Sequence, residues 1–433
     1  MQYIKIYLLL VFVLLLQTTS VAQVEKSQKG TYALTNASIV TVTKGTVEGT
    51  LLIQDGKIAA IGANVSIPSG ATTIDCSDYF IYPGLIDGGT TLGLSEVGSI
   101  SLTQDANEIG EFTPHMQALT AVNPNSVSIP VTRVEGVTTV LTKPTGGTFP
   151  GTAALINLVG YTPDQMYAGF KGVIMNYPSS GRSSRWDRRS DEDRKKEEEK
   201  KLKKINDAWD KLVLYAEIQK KAKDEMSMAY NPEMDAMLPL LSGEGTLLLE
   251  VNKDKDILSA LKWVKEKEIQ KVVLTGVAEG WRVADSIAQA GIPVITGPML
   301  STPRRLSDRY DVSYTNAGKM LQAGVKVAIR TNEAENVRNL PFNAGFAAAY
   351  GMGKEEALKA VTIVPAEIFG ISDQLGSLEV GKNATLFVSD GDPFETKTDV
   401  KYLFINGWQI AIDSRHIQLY EEFLDRSPGL KKE

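Results

Sequence analysis

Two stretches of alternating apolar and polar residues, one towards each end of the chain, constrain this sequence most. Residues 31–42 and 50–61 read as strands, and Asp55-Gly56 within Ile53-Gln54-Asp55-Gly56-Lys57-Ile58 is a strong hairpin-turn signal. The pattern returns far downstream. Residues 384–389 lead to a turn at Asp390-Gly391-Asp392-Pro393, and residues 400–405 reach Asn406-Gly407 before 408–412. Each piece is too small to bury a core of its own. The economical solution is one composite β-sandwich from residues 31–80 and 375–415, with residues 81–374 inserted between its halves.

The inserted segment alternates apolar runs with helical stretches, the signature of repeated βα units and a parallel sheet. Strands are expected at 81–87, 137–142, 172–175, 246–251, 271–277, 293–296 and 326–330, with an eighth near 153–158. Helices are expected at 256–267, 281–290, 317–323 and 354–363. Eight such units close into a (β/α)8 TIM barrel, whose chemistry sits at the C-terminal ends of the strands. The fold class is therefore α/β, a barrel with a small β-sandwich. One segment, near 182–223, departs from the pattern. Its interleaved Glu and Lys suit a solvated helix laced by i,i+4 pairs. Trp186 and Trp209 would be odd on a wholly solvated helix and indicate packing against something, with a lid or docking arm over the barrel mouth as the sharper alternative.

A net charge of −6 gives no basic footprint for nucleic acid. Cys76, the single cysteine, rules out an internal disulfide. Lys5 precedes an apolar run at 6–16, and Ser20-Val21-Ala22 sets small residues where a signal peptidase reads. The run is short for a membrane span. Residues 1–22 are therefore expected to be a signal peptide, the mature chain to be periplasmic or secreted, and no membrane span to remain after cleavage.

Tyr82-Pro83-Gly84-Leu85-Ile86-Asp87-Gly88-Gly89-Thr90-Thr91 resembles the first-strand signature of the amidohydrolase superfamily, which reads Pro-Gly-Leu-Ile-Asp, one residue, then His-x-His. Ala357-Leu358-Lys359-Ala360-Val361-Thr362 with Pro365-Ala366, then Gly376-Ser377-Leu378-Glu379-Val380-Gly381-Lys382-Asn383-Ala384-Thr385-Leu386, resembles its C-terminal stretch, nearest to the imidazolonepropionase-like branch. The resemblance runs from about residue 31 to about residue 413. It implies hydrolysis of C–N bonds other than peptide bonds by a water bound to zinc or another divalent metal. In the family, two histidines on strand one, one each on strands five and six, and an aspartate on strand eight hold that metal.

Here those positions hold Gly89, Thr91, Glu250, Gly276 and Asn332. The whole chain has two histidines, His115 and His416. His115, in Thr113-Pro114-His115, is a candidate pocket residue. His416 is expected to be a solvated residue of a polar tail. Lys171 and Asn176 are weak candidates for a bridging ligand. Thr145-Gly146-Gly147-Thr148 lacks the lysine of a phosphate-binding loop and is expected to shape a turn at the mouth. No metal cofactor is therefore expected. An alternative is a carboxylate site from Asp87, Glu250 and Glu333, which would suit a harder cation than zinc.

Three functions follow. The first is a metal-free pseudoenzyme serving as a binding or partner subunit, its partner a catalytically intact amidohydrolase paralogue or a second copy. The second is an active hydrolase with an altered, carboxylate-based site, which requires Glu250 and Asp87 to converge. The third is a periplasmic small-ligand binding module, with Asn332, Thr91 and Glu250 as hydrogen-bonding groups. A deep aromatic pocket favours the third, and an apolar surface patch favours the partner subunit.

Overall fold

The computed structural model describes residues 28–181, 188–221 and 230–426. The expected signal peptide, Trp186 and parts of the charged insertion lie outside the described residues.

Two sheets organise the chain. The first has nine strands and draws them from both ends: Gln28–Lys29, Tyr32–Val40, Thr46–Gln54, Lys57–Gly62, Thr72–Asp75 and Phe80–Pro83 from the front, Leu386–Ser389, Val400–Ile405 and Trp408–Ile410 from the back. The two sets meet where Phe80–Pro83 pairs antiparallel with Leu386–Ser389. Both hairpin turns form where the sequence places them. Asp55 and Gly56 have φ of 54° and 79°, and Asn406 and Gly407 have 51° and 76°. Two consecutive positive φ values make the mirror-image turn that matches strand twist, which asparagine or aspartate followed by glycine tolerates. Ile39, Leu51, Ile53, Ile81, Leu386 and Phe404 pack on one face of this sheet. Cys76 is fully buried there, and burial pushes its thiol up to about 12.

The second sheet has eight strands in sequence order and nearly closes into a barrel: β1 (Leu85–Thr90), β2 (Val137–Thr142), β3 (Gly151–Asn157), β4 (Tyr167–Asn176), β5 (Thr246–Val251), β6 (Val272–Gly276), β7 (Val294–Thr296) and β8 (Val327–Ile329). Asn332 N donates to Gly89 O at 2.9 Å and Thr91 N to Glu333 O at 3.0 Å, bringing the two ends together at the mouth. Helices Asp254–Glu266, Ala284–Ala290, Val312–Gln322, Leu340–Ala347, Lys354–Ala360 and Ile363–Ile368 accompany the second half of the barrel.

Several expectations are corrected. β3 is present but antiparallel to both neighbours, so it begins rather than ends at the mouth. Residues 143–150 are too few for a parallel crossover, which needs a dozen or so, and they form a hairpin connection instead. The single strand expected at 81–87 is two strands split between the sheets at Gly84, where a Cβ would meet the side chain of Thr138. The helix expected at 354–363 breaks after Ala360, because Pro365 lacks the amide that would continue it.

The charged insertion is a 31-residue helix, Asp191–Lys221. One narrow stripe of it is buried. Ile205, Trp209 and Leu212 recur at helical spacing, and Trp209 meets Trp263 of helix Asp254–Glu266 edge-on at 5.5 Å. Trp263 Nε1 donates to Asn206 Oδ1 at 3.1 Å. The helix is therefore docked on the barrel flank by its tryptophan side, with most of its charges in solvent.

Inside the barrel, side chains are layered. Leu141, Ile174, Leu248, Val273, Ile295 and Ala328 form an apolar plug. Residues two apart on a strand share a face, so the next inward layer, nearer the mouth, is Lys143, Asn176, Glu250, Thr275 and Arg330. That layer is the site.

Candidate functional site

Glu250 leaves β5 one residue before its end, and Arg330 directly follows β8. Their side chains meet across the barrel in a forked ion pair: Arg330 Nη1 to Glu250 Oε2 and Nη2 to Oε1, each 2.7 Å. Thr275 Oγ1 adds a hydrogen bond to Glu250 Oε2 at 2.8 Å. Arg330 is 2% exposed. Burial alone would push the Glu250 carboxyl up; the Arg330 charge and its hydrogen bonds outweigh it, with Lys143 helping, and hold the group well below the usual carboxylate range. A planar guanidinium on a carboxylate is the strongest arrangement these two groups have.

The glycines explain how the pair fits. A Cβ on Gly89 would stand 3.1 Å from Arg330 Cδ and 3.6 Å from Lys143 Cδ. A Cβ on Gly276 would stand 2.6 Å from Glu250 Oε1, and Gly276 has a φ of 85° that L side chains rarely adopt. An imidazole at either position would collide with the ion pair. The space around these two glycines is filled by the side chains of Arg330, Lys143, Glu250 and Asn252.

Asp87, fully buried on β1, accepts hydrogen bonds from Gly89 N at 2.9 Å and from Thr331 N at 3.2 Å, and from Thr331 Oγ1. Burial raises its carboxyl from the ordinary 3.8 to about 6, against the pull of these donors and of Arg330. The folded chain thus holds this proton more tightly than the unfolded chain. The contribution is fully present below about pH 4 and is lost as pH rises through about 6, about 3 kcal/mol in all. Asp87→Asn is expected to flatten that part of the stability–pH curve, which urea titrations between pH 4 and 7 measure.

Lys143 follows β2 and is 9% exposed. Burial, then the charge of Arg330, lower its ammonium from 10.5 to about 8, while Glu250 and Asp87 pull the other way. Among the described residues its Nζ has no hydrogen-bond partner.

Of the residues singled out by the sequence, Gly89, Glu250, Gly276 and Asn332 come together at the mouth, Asn332 exposed with a φ of 56° and tied to β1 through its backbone. Thr91 is half-buried beside them. His115 stands on the loop against the start of β3, where Thr152 Oγ1 donates to Pro114 O at 2.9 Å. Its buried Nδ1 has no partner, and no hydrogen bond joins it to the Glu250–Arg330 pair. Asn176 Nδ2 donates to Gly146 O and Gly147 O, at 2.6 and 2.8 Å, and so pins the glycine-rich turn. Lys171 is exposed at the opposite end, bound to Gln117 at 2.7 Å, beside a groove of about 1340 Å³ that also opens away from the mouth. His416 is exposed on helix Arg415–Asp425, 2.9 Å from Arg338 Nη1. Arg330 and Lys143, the two cations of the site, were missed. The available signal was a charged residue directly after an apolar run: Val327-Ala328-Ile329 before Arg330, and Val140-Leu141-Thr142 before Lys143.

The residues present do not fit a divalent metal. Among the described residues no group of three or more His, Cys, Asp or Glu side chains converges. The guanidinium occupies both oxygens of Glu250, and backbone and Thr331 donors occupy Asp87.

The fold has close counterparts. The amidohydrolase from Thermotoga maritima superposes over 88% of this chain and 99% of its own, with a TM-score of 0.77 and 25% sequence identity. The Amidohydrolase family model matches residues 262–411. The chain belongs to the amidohydrolase superfamily. Among curated relatives, the D-hydantoinase of Geobacillus stearothermophilus is 39% identical over 92 residues, 21% of this chain and 19% of that protein. The imidazolonepropionase of Picrophilus torridus is 34% identical over 110 residues, 23% of this chain and 28% of that protein. These matches span only about a fifth to a quarter of the curated relatives.

Proposed function

We propose that this amidohydrolase-superfamily protein is an exported, metal-free pseudoenzyme that serves as a binding or partner subunit. The observation that carries this reading is the forked Arg330–Glu250 pair in the volume where the family's histidines would converge. A buried guanidinium repels a divalent cation and already satisfies Glu250, the acidic side chain of the mouth-facing layer. The carboxylate-based hydrolase required Glu250 and Asp87 to converge; each is held by its own partners instead.

The aromatic surface favours a partner over a deep ligand pocket. Tyr314, Phe346 and Tyr350 cluster at ring separations of 5.0 to 6.4 Å on the outer helices, with Phe346 40% exposed and Tyr310 67% exposed nearby. A catalytically intact paralogue or a second copy fits such a patch. Localisation outside the cytoplasm rests on the N-terminal sequence; among the described residues no helix is long and apolar enough to cross a membrane.

The test is metal content. The chain from Gln23, purified without chelators or a His-tag and measured by elemental mass spectrometry, is expected to carry less than about a tenth of an equivalent of transition metal, unchanged after zinc or manganese loading. Near one equivalent, lost on Glu250→Ala, would overturn the proposal.

A further inference from the structure

We propose that Lys143 is a nucleophilic amine that captures small aldehydes or ketones at the barrel mouth as a Schiff base. This rests on the metal-free reading of the same site. The geometry begins with placement. Lys143 sits immediately after β2, in the mouth-facing layer of the lumen, where ligands of a TIM-type barrel are met. Its stem runs beside Gly89, whose missing side chain leaves room for it.

Its surroundings distinguish it from the other lysines. Lys143 is among the buried residues at 9% exposure, yet its Nζ is not one of the sealed, partnerless atoms; that amine has no hydrogen bond to the described residues and keeps contact with solvent. The charged groups facing it come from three strands: Arg330 after β8, Glu250 on β5 and Asp87 on β1. Arg330 takes Glu250 by two hydrogen bonds and Thr275 and Asn252 add one each, so the acceptor sites of Glu250 are taken and none of these bonds goes to the ammonium. A desolvated ammonium beside a guanidinium loses its proton readily, which is the usual way a lysine becomes a nucleophile at neutral pH. The depressed value near 8 accords with this placement.

The step balances without any oxidant or metal. The neutral amine adds to the carbonyl carbon, the carbinolamine loses water, and a C=N bond replaces the C=O bond. The departing hydroxyl takes its proton from water, with which the amine keeps contact. Thr91 and Asn332 at the rim offer a hydroxyl and an amide to the remainder of a small polar carbonyl compound.

The experiment is reductive trapping. The full mature chain is incubated at pH 7.5 with limiting glyoxylate and cyanoborohydride, and modified lysines are located by peptide mass spectrometry. At that pH a lysine titrating near 8 has on the order of a hundredfold more neutral amine than one at 10.5. Lys143 is expected to be labelled at least about tenfold faster than exposed lysines such as Lys44 or Lys195, even after the cost of restricted access. Lys143→Met is expected to abolish the fast phase and leave the slow surface labelling. Labelling that follows exposure, with Lys143 unmodified in metal-free protein, overturns this inference and leaves the metal-free reading intact. Stoichiometric metal in the same sample overturns that reading and this inference with it.

Discussion

Arg330→Leu is expected to destabilise the protein by about 3 kcal/mol or more, since it strands a buried carboxylate without its guanidinium. Glu250 is satisfied almost entirely by Arg330, with Thr275 as its other close donor. Lys143 would recover part of the loss by approaching Glu250, which sets the estimate at the lower end of the range for broken buried pairs. The informative comparison is the double variant Arg330→Leu with Glu250→Leu. Replacing both partners by apolar groups of similar volume removes two desolvated charges together, and stability is expected to return close to that of the unmodified chain. Urea unfolding of the two single variants and the double variant forms a complete cycle. Additive losses would mean that the two side chains do not act as a unit. A recovered double variant would show that the pair occupies the metal's volume without being needed for the fold.

Lys143→Met is expected to act in the opposite sense. The folded chain binds the Lys143 proton less tightly than the unfolded chain, so the unfolded form carries more protons between about pH 8 and 10.5. The wild-type chain therefore gains stability as pH rises through that window and carries the full penalty below it. Removing the ammonium is expected to raise stability at pH 7 by up to about 3 kcal/mol and to abolish the gain at alkaline pH, leaving the difference between variant and wild type largest at neutral pH. Urea midpoints at pH 7, 9 and 10.5 for both proteins measure this. A variant less stable than the wild type at pH 7 would mean that attraction to Glu250 and Asp87 exceeds the cost of burial. A lysine kept in place at such a cost fits a functional amine better than a packing residue.

Turn chemistry and strand patterning were legible in the sequence because they are local. Asp55-Gly56 and Asn406-Gly407 need only their own backbone preferences to form, and both turns stand where they were expected. The apolar run near 153–158 was legible as a strand for the same reason, and the strand stands at Gly151–Asn157. Its direction was not, because side-chain alternation is the same for a strand read either way. The shortness of residues 143–150 was the one local clue to its reversal. The site divides in the same manner. Gly89, Thr91, Glu250, Gly276 and Asn332 could be found one at a time from flanking residues. What replaces the metal could not, since Arg330 and Glu250 lie 80 positions apart and become neighbours only when β8 and β5 face each other across the lumen. Trp209 lay between these extremes. An aromatic residue in a run of charges shows that a helix docks, but Trp263 as its counterpart emerges only from the packed structure.

The seam between Phe80–Pro83 and Leu386–Ser389 has a consequence for the order in which the molecule can be completed. Until residue 389 is available, the front half of the nine-stranded sheet ends in an open edge at Phe80–Pro83, with Ile81 lacking its Val388 neighbour. The interposed barrel strands are all made before that edge is covered. For a chain threaded outward from its N-terminus, a late segment is the one that fastens the front strands to the rest. A chain stopped short of Leu386 would carry every inward-facing residue of the mouth and still present a naked sheet edge to its neighbours.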